Sequence, residues 1–189
     1  MARRTDHEKR EQLLAQASEI LCRRGIVDTS LRTLATEMGT SARMLIYYFG
    51  SKEQLLLDVL ALHRQQVTPS SEDLTSPAGL RAWAFADWES MMRGEKRIGV
   101  RIQEQIFGAA CAQDSPYAAY TSETLTQLIR NLEAMLRAIG MPAELAATRA
   151  DITINALQGL VMRYCTAEDP TLIDRSFRRL IDDLLLAPF

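Results

Sequence analysis

Three residues between positions 31 and 50 have the types and the spacing of a turn between two short helices. Ala35 is small enough for a steep helix crossing, Gly39 tolerates the positive φ that the turn requires, and Ser41 can cap the helix that follows. In a helix-turn-helix, the first turn of that second helix meets base edges in the major groove of DNA. This spacing therefore predicts hydrogen-bonding chemistry on a nucleic acid. Two helices packed in an ordinary bundle could use the same residues, so that alternative stays open.

Catalytic chemistry has few candidate residues in this chain. It contains two histidines, no pair of carboxylates that stands out, and no GxSxG, HExxH, P-loop or GxGxxG motif. Cys22, Cys111 and Cys165 lie far apart without CxxC spacing, which favours free thiols in a reducing compartment over zinc or redox sites. We therefore expect no metal, no cofactor and no enzymatic activity. The alternative function is that of a helical enzyme or an adaptor protein without DNA binding.

The composition predicts a soluble, cytoplasmic, globular protein. The 189 residues are 47% hydrophobic and 24% charged, which suits a folded core. The apolar runs are too short to span a bilayer, and the polar amino terminus lacks the apolar segment of a signal peptide. Residues 1–53 hold nine Lys or Arg against seven Asp or Glu, whereas the remainder carries a balance of −4. This asymmetry points to a polyanion at one end, although solvated surface produces differences of the same size.

Apolar residues recur at helical spacing along the chain, and period-two strand patterning is essentially absent. Gly25, Gly39 and Gly50 end three successive apolar faces, and Ser51 begins a fourth helix. The polar stretch 69–77 is the one convincing domain boundary, and the pattern beyond it stays helical. The sequence therefore predicts an all-α fold with a small amino-terminal domain.

Residues 25–56 resemble the matching stretch of the tetracycline-repressor (TetR) family of transcriptional regulators. The resemblance rests on many matches at fixed spacing, which are Gly25, Thr29, Ser30, Ala35, Gly39, Ser41, Leu45, Tyr48, Phe49, Ser51, Lys52, Glu53 and Leu55. Ile46 departs from the pattern, because the family most often has Tyr there, so no role is carried over to that position. The resemblance implies a DNA-binding head, a divergent helical body that binds a ligand, and a dimer.

The family pattern implies DNA contacts for residues in this head. Lys52 looks like a phosphate contact at the start of the fourth helix, and the threonine, serine and tyrosine hydroxyls would meet phosphate oxygens. Arg43 is the best candidate reader of guanine, with a further phosphate contact as the alternative, while Ala42 and Met44 could touch a thymine methyl. Tyr48 could equally be a buried anchor. The expected DNA-binding residues are Thr29, Ser30, Ser41, Ala42, Arg43, Tyr47, Tyr48 and Lys52.

An aromatic and methionine cluster predicts where a ligand would bind. Both tryptophans and a pair of methionines lie within residues 83–92. Aromatic rings and thioethers suit an adaptable pocket for a small, mainly apolar effector, and they suit a plain core equally well. The expected ligand-binding residues are Trp83, Asp87, Trp88, Met91, Met92, Gln105, Phe107 and Tyr117.

A dimer interface is predicted from a continuous apolar face at residues 125–139 and from small residues in the helix after Pro142. One recognition helix reads only roughly three to four base pairs, so a dimer on a palindromic site would supply the missing specificity. Core contacts within the chain are the alternative for each face. The expected interface residues are Leu125, Leu128, Leu132, Leu136, Ile152, Ala156 and Gly159.

Together these observations predict a ligand-responsive transcriptional regulator. It would be a repressor that binds a double-stranded DNA operator as a homodimer, is released by a small-molecule effector, and has no membrane association. The predicted division of this all-α chain is a three-helix helix-turn-helix DNA-binding domain at 1–50, a connecting helix at 51–68, and a helical ligand-binding and dimerisation domain at 69–189.

Overall fold

The computed structural model describes residues 2–26, 29–63 and 76–188. Every regular element in these ranges is helical, which confirms the predicted fold class. The elements are α1 (Ala2–Arg24), α2 (Leu31–Glu37), α3 (Ala42–Phe49), α4 (Lys52–His63), α5 (Pro77–Met92), α6 (Arg97–Ala110), α7 (Ala118–Ala138), α8 (Ala143–Thr166) and α9 (Thr171–Arg179), followed by a π-helical turn, Leu180–Leu185. No helix in the described ranges has both the length and the apolarity needed to cross a membrane.

The chain forms two compact units, and the first contains α1 to α4 together with α6. Its buried residues repeat at helical spacing on every helix, so each helix contributes one apolar side to a shared core. The largest fully buried side chains of this core include Leu13, Leu21, Leu34, Leu45, Leu55, Leu56, Ile102 and Ile106. These side chains hold α2 and α3 in place.

The second unit contains α5, α7, α8, α9 and the π-helical turn. The π-helical turn packs against α5, α8 and α9, and α8 also packs against α9. Small residues on α8, such as Ala146 and Ala150, are fully buried and permit this close approach of helices. Pro142 stands immediately before α8, as the sequence predicts for a proline that begins a helix.

The position of α6 differs from the predicted division, which assigned residues 69–189 to one domain. In the structure α6 packs against α1 and α4 and belongs to the first unit. The physical reason is its apolar side, because Gly99, Ile102 and Ile106 are buried there. The predicted end of the connecting helix, residues 64–68, and most of the predicted boundary at 69–77 lie outside the described residues.

Candidate DNA-binding surface

Two serine caps and one glycine set the directions of α2 and α3. The Ser30 hydroxyl oxygen accepts a hydrogen bond from the backbone N–H of Thr33 (3.1 Å), and that of Ser41 accepts one from Met44 (3.2 Å). Each bond satisfies a backbone donor that a helix leaves free in its first turn. Gly39 has a φ of +63°, in the left-handed region that glycine adopts without a Cβ penalty. The turn and the Ser41 cap predicted from the sequence are therefore confirmed.

One side of each of these short helices is buried. Leu34 and Ala35 of α2 and Leu45 and Phe49 of α3 lie in the core of the first unit, and α2 packs against α3. The small side chain of Ala35 is 3% exposed and therefore lies in this core, and its predicted place at the helix crossing stays a prediction. Because α3 has its anchors on one side, a group of side chains on its other side points to solvent.

The other side of α3 exposes a group of large side chains. Tyr47 is 68% exposed, Ile46 45% and Met44 38%, and Arg43 is also exposed. Within the part of the chain that the structure describes, no hydrogen bond or ion pair holds the Arg43 guanidinium. Such a guanidinium can donate two parallel hydrogen bonds to guanine, while apolar side chains beside it meet thymine methyl groups. This exposed side of α3 therefore combines a positive side chain with apolar ones, and Ile46 is exposed among them.

Thr29 does not lie on this surface, which corrects the expectation that it contacts DNA. Its side chain is 1% exposed, and its hydroxyl donates a hydrogen bond to the Gly25 carbonyl oxygen (2.6 Å). This hydrogen bond therefore joins the segment just before α2 to the residue that follows α1. Ser30 stays exposed beside it and Ala42 is half-buried at the start of α3, so neither of these positions is withdrawn.

The two tyrosines at the end of α3 have different surroundings. Tyr47 is exposed, whereas Tyr48 is half-buried and its backbone carbonyl accepts a hydrogen bond from Arg10 (Nε to O, 3.4 Å). Desolvation raises the pKa of Tyr48, and so does a hydrogen bond between its side chain and the Asp6 carboxylate. Tyr48 thus has a partner within its own unit, while the Tyr47 hydroxyl faces solvent.

Lys52, at the start of α4, is turned towards the loop between α1 and α2. Its ammonium donates a hydrogen bond to the Ile26 carbonyl oxygen (Nζ to O, 2.9 Å). An ammonium has three donors, so this bond leaves two for other acceptors. The predicted phosphate contact of Lys52 remains a prediction, and its role in holding the loop is one that sequence reasoning missed.

The residues expected to bind a ligand are divided between the two units. Trp83, Asp87, Trp88, Met91 and Met92 belong to the second unit, whereas Gln105, Phe107 and Tyr117 belong to the first. Trp88 and Met92 are buried core residues. The Trp88 ring stacks on Phe177 with centroids 4.3 Å apart, and its indole N–H donates to Asp174 (2.8 Å). The indole N–H of Trp88 therefore already has a hydrogen-bond partner within the second unit.

In the first unit, Gln105 forms a hydrogen bond to the backbone and Tyr117 is buried. The Gln105 side-chain oxygen accepts a hydrogen bond from the Ile26 backbone N–H (2.7 Å). Burial, with a smaller contribution from the Glu53 charge, raises the pKa of Tyr117. Burial raises the pKa of another α6 side chain, Glu104, from its ordinary 4.5 to about 7. No sequence signal marks this shift, since a glutamate on an amphipathic helix usually faces water.

Four buried polar atoms of the second unit lack a hydrogen-bond partner among the residues described. They are Trp83 Nε1, Thr121 Oγ1, Thr153 Oγ1 and Gln158 Oε1. Because an unsatisfied buried polar group is costly, such atoms are rare in stable cores and suit a site that receives polar groups of a ligand. They lie on α5, α7 and α8, and only Trp83 was expected from the sequence.

A separate cavity of about 230 Å³ lies in the second unit between α5 and α9. Its charged lining is largely paired within the unit, because the Arg93 guanidinium contacts both Glu89 and Asp174. Of the predicted ligand-binding residues, only Trp88 lines it. Among the described residues, no group of three or more His, Cys, Asp or Glu side chains is placed to hold a metal ion.

The predicted interface residues are also divided by their burial. Leu132 and Leu136 of α7 are buried in the core of the second unit, so the alternative of a core contact within the chain holds for these two positions. Leu125 and Leu128 are half-buried. On α8, Ile152 is 44% exposed and Gly159 is exposed, while Ala156 is half-buried. Met162, three residues beyond Gly159, is also exposed, so α8 presents an apolar side to solvent that sequence reasoning located only in part.

Comparison with known proteins finds sequence similarity in the amino-terminal part of the chain. Residues 13–59 match the model of bacterial regulatory proteins of the tetR family, a stretch that contains α2 and α3. The chain is 33% identical over 75 residues to the HTH-type transcriptional regulator PksA of Bacillus subtilis (strain 168). That match covers 39% of this chain and 37% of PksA, so it spans little more than a third of the length of that protein.

The whole fold is similar to solved structures of two regulators. A TetR-like transcriptional regulator from Rhodococcus sp. RHA1 has a TM-score of 0.66 and 17% identity, with 95% of this chain and 97% of that chain covered. NalD, the secondary repressor of the MexAB-OprM multidrug efflux pump in Pseudomonas aeruginosa, has a TM-score of 0.61 and 18% identity, with 96% and 97% covered. At sequence identities of 17% and 18%, the similarity shows a shared fold alone. Residues 13–59 are thus similar in sequence to bacterial regulatory proteins of the tetR family, and the fold of the chain is similar to that of TetR-like regulators.

Proposed function

We propose that this protein regulates transcription by binding duplex DNA with the exposed side of α3. The observation that carries the proposal is the arrangement on this one helix, which begins at a Ser41 cap and exposes Arg43, Met44 and Tyr47 while its other side is buried. Arg43 reads a guanine, Met44 contacts a thymine methyl, and the Tyr47 hydroxyl binds a phosphate oxygen. Phosphate contacts set the register of the protein on DNA, and base contacts give the sequence preference.

The proposed active species is a homodimer on a palindromic operator. A single recognition helix covers roughly three to four base pairs, and a two-fold dimer doubles this length. The apolar side of α8, with Ile152, Gly159 and Met162 exposed, supports this proposal because it offers an apolar surface with a small residue at which a second helix could approach closely.

We further propose that the protein is a repressor released by a small-molecule effector. NalD, a protein of similar fold, is a repressor, which supports this role. The effector is mainly apolar, and a polar group of it pairs with Trp83 Nε1, a buried donor for which the described residues offer no partner. Useful switching requires a coupling free energy of roughly 1–3 kcal/mol, with a reciprocal loss of effector affinity on DNA.

Selection of bound fragments from the source genome tests the DNA-binding role. The purified protein is mixed with sheared genomic DNA, bound fragments are recovered and sequenced, and the protected bases are mapped by footprinting. The proposal expects a short enriched motif with two-fold symmetry. Equal recovery of all fragments, or recovery of none, would contradict it.

The effector role has its own test once the operator is known. Compounds are screened for release of the protein from the operator, and any that act are titrated against wild type and Trp83→Phe. This change removes the indole N–H and retains an aromatic ring, so we expect a lower effector affinity with operator binding unchanged. An unchanged effector affinity would mean that Trp83 is not in the effector site.

A further inference from the structure

The Gln105 side chain of α6 uses both ends of its amide within the first unit. Its oxygen accepts a hydrogen bond from the backbone N–H of Ile26 (2.7 Å), and its nitrogen donates to the Arg101 carbonyl oxygen (3.1 Å). The first bond joins residues 79 positions apart in the sequence. Because the two bonds require opposite ends of the amide, they fix its orientation.

The backbone of Gly25 and Ile26, in the loop between α1 and α2, receives further support. Lys52 donates to the Ile26 carbonyl oxygen (2.9 Å), and Thr29 donates to that of Gly25 (2.6 Å). Gly25 has a φ of +81°, and a Cβ at this position would lie 2.9 Å from the Gln105 side-chain oxygen. Gly25 is therefore suited to this loop both by its backbone conformation and by the close approach of Gln105.

We infer that Gln105 is a positioning residue for DNA binding. Its hydrogen bond to Ile26 holds the Gly25–Ile26 backbone, which the Thr29 hydrogen bond to Gly25 joins to the start of α2, and α2 packs against α3. The helix-turn-helix therefore depends on a side chain from α6, which comes after α5 in the chain. This inference rests on the proposed function, since it concerns how well α3 meets DNA.

The test compares Gln105→Leu with Gln105→Glu in the full-length protein. Leucine has similar size and no acceptor, whereas glutamate keeps an oxygen that can accept from the Ile26 N–H. Gln103→Leu is the matched control, because Gln103 lies on the same helix and is half-buried. Two quantities are measured: hydrogen exchange of the Ile26 amide by NMR, and the ratio of affinities for a selected genomic fragment and a scrambled duplex. The Gly25 N–H, which donates to the Leu21 carbonyl oxygen (2.9 Å), serves as the internal reference for exchange.

A second pair of variants disturbs the same hydrogen bond from the loop side. Gly25→Ala pushes a Cβ against the Gln105 oxygen. Gly50→Ala is its control, because Gly50 has a φ of +78° and a Cβ added there would meet no atom within 4 Å. Both glycines have a positive φ, and only at Gly25 would the added Cβ press on Gln105.

We expect Gln105→Leu to raise exchange of the Ile26 amide and to lower the affinity ratio, each by roughly two- to tenfold, with Gln105→Glu recovering most of both. Gly25→Ala should lower the ratio more than Gly50→Ala. If Gln105→Leu and Gln103→Leu give the same ratio while wild type enriches a motif, the positioning role is overturned alone. If wild type enriches no motif, the proposed function fails and the positioning role fails with it.

Discussion

Replacing Glu104 by glutamine should make the protein more stable at alkaline pH and leave its stability at acidic pH unchanged. Burial raises the pKa of this carboxyl from 4.5 to about 7 in the folded protein. Between these values the folded state holds a proton that the unfolded state has lost, so stability falls as the pH rises through this window. Each pKa unit corresponds to about 1.4 kcal/mol, which gives an upper limit of about 3 kcal/mol, and the partial solvent exposure of the side chain reduces it.

Urea unfolding followed by circular dichroism measures this effect at about pH 4, below the window, and at about pH 8, above it, for wild type and Glu104→Gln. The free-energy difference between the two proteins should be near zero at the lower pH and favour the glutamine variant at the higher pH. Glu123→Gln, at an exposed position of α7, is the control and should show the same difference at both pH values. If the Glu104→Gln difference is also independent of pH, the carboxylate is solvated in the folded state and the argument from burial is refuted.

The structure supports three further predictions. Thr153→Val should leave the free energy of unfolding unchanged or raise it by about 1 kcal/mol, because it removes a buried hydroxyl that has no hydrogen-bond partner among the described residues. A decrease of more than about 1 kcal/mol would show that the hydroxyl forms a hydrogen bond. Ile152→Glu should dissociate the proposed dimer, measured by light scattering, and leave the circular dichroism spectrum unchanged. Leu132→Glu should instead unfold the second unit, because it buries a charge. A dimer retained in Ile152→Glu would exclude this side of α8 as the dimer interface. Arg43→Ala should cost about 1–3 kcal/mol at the operator and relax one base preference per half-site, whereas Lys52→Ala should lower the salt slope by about one and relax no single base preference. Identical sequence preferences in the two variants would refute Arg43 as the base-reading residue.

Local signals made much of the first unit predictable. The left-handed conformation of Gly39 and the Ser41 cap depend on residues within a few positions, so the sequence reveals them directly. The helical period likewise identified the buried sides of α1 to α4, because burial of one side repeats every three or four residues. Ile46 was left without a role because it departs from the family pattern, and its exposure became visible only when the anchors of α3 were placed.

Long-range packing explains what the sequence could not reveal. An amphipathic pattern predicts that one side of a helix is buried, and it does not show which surface buries it. Leu132 and Ile152 therefore gave the same sequence signal, although Leu132 is buried and Ile152 is exposed. Thr29 resembled a phosphate contact, whereas folding buries its side chain and pairs its hydroxyl with the Gly25 carbonyl oxygen. Gln105 was expected to bind a ligand. Its role as the acceptor for the Ile26 N–H could not be predicted, because the two residues are 79 positions apart and only the folded chain brings them together.

The most direct test of the central claim is the affinity of wild type for its selected genomic fragment and for a scrambled duplex of the same length. Fluorescence anisotropy measures both over a series of salt concentrations. We predict that the selected fragment binds at least about a thousandfold more tightly at physiological salt, and that binding to both duplexes weakens as salt rises. Equal affinity for the two duplexes, or no binding to either, would contradict DNA recognition by α3.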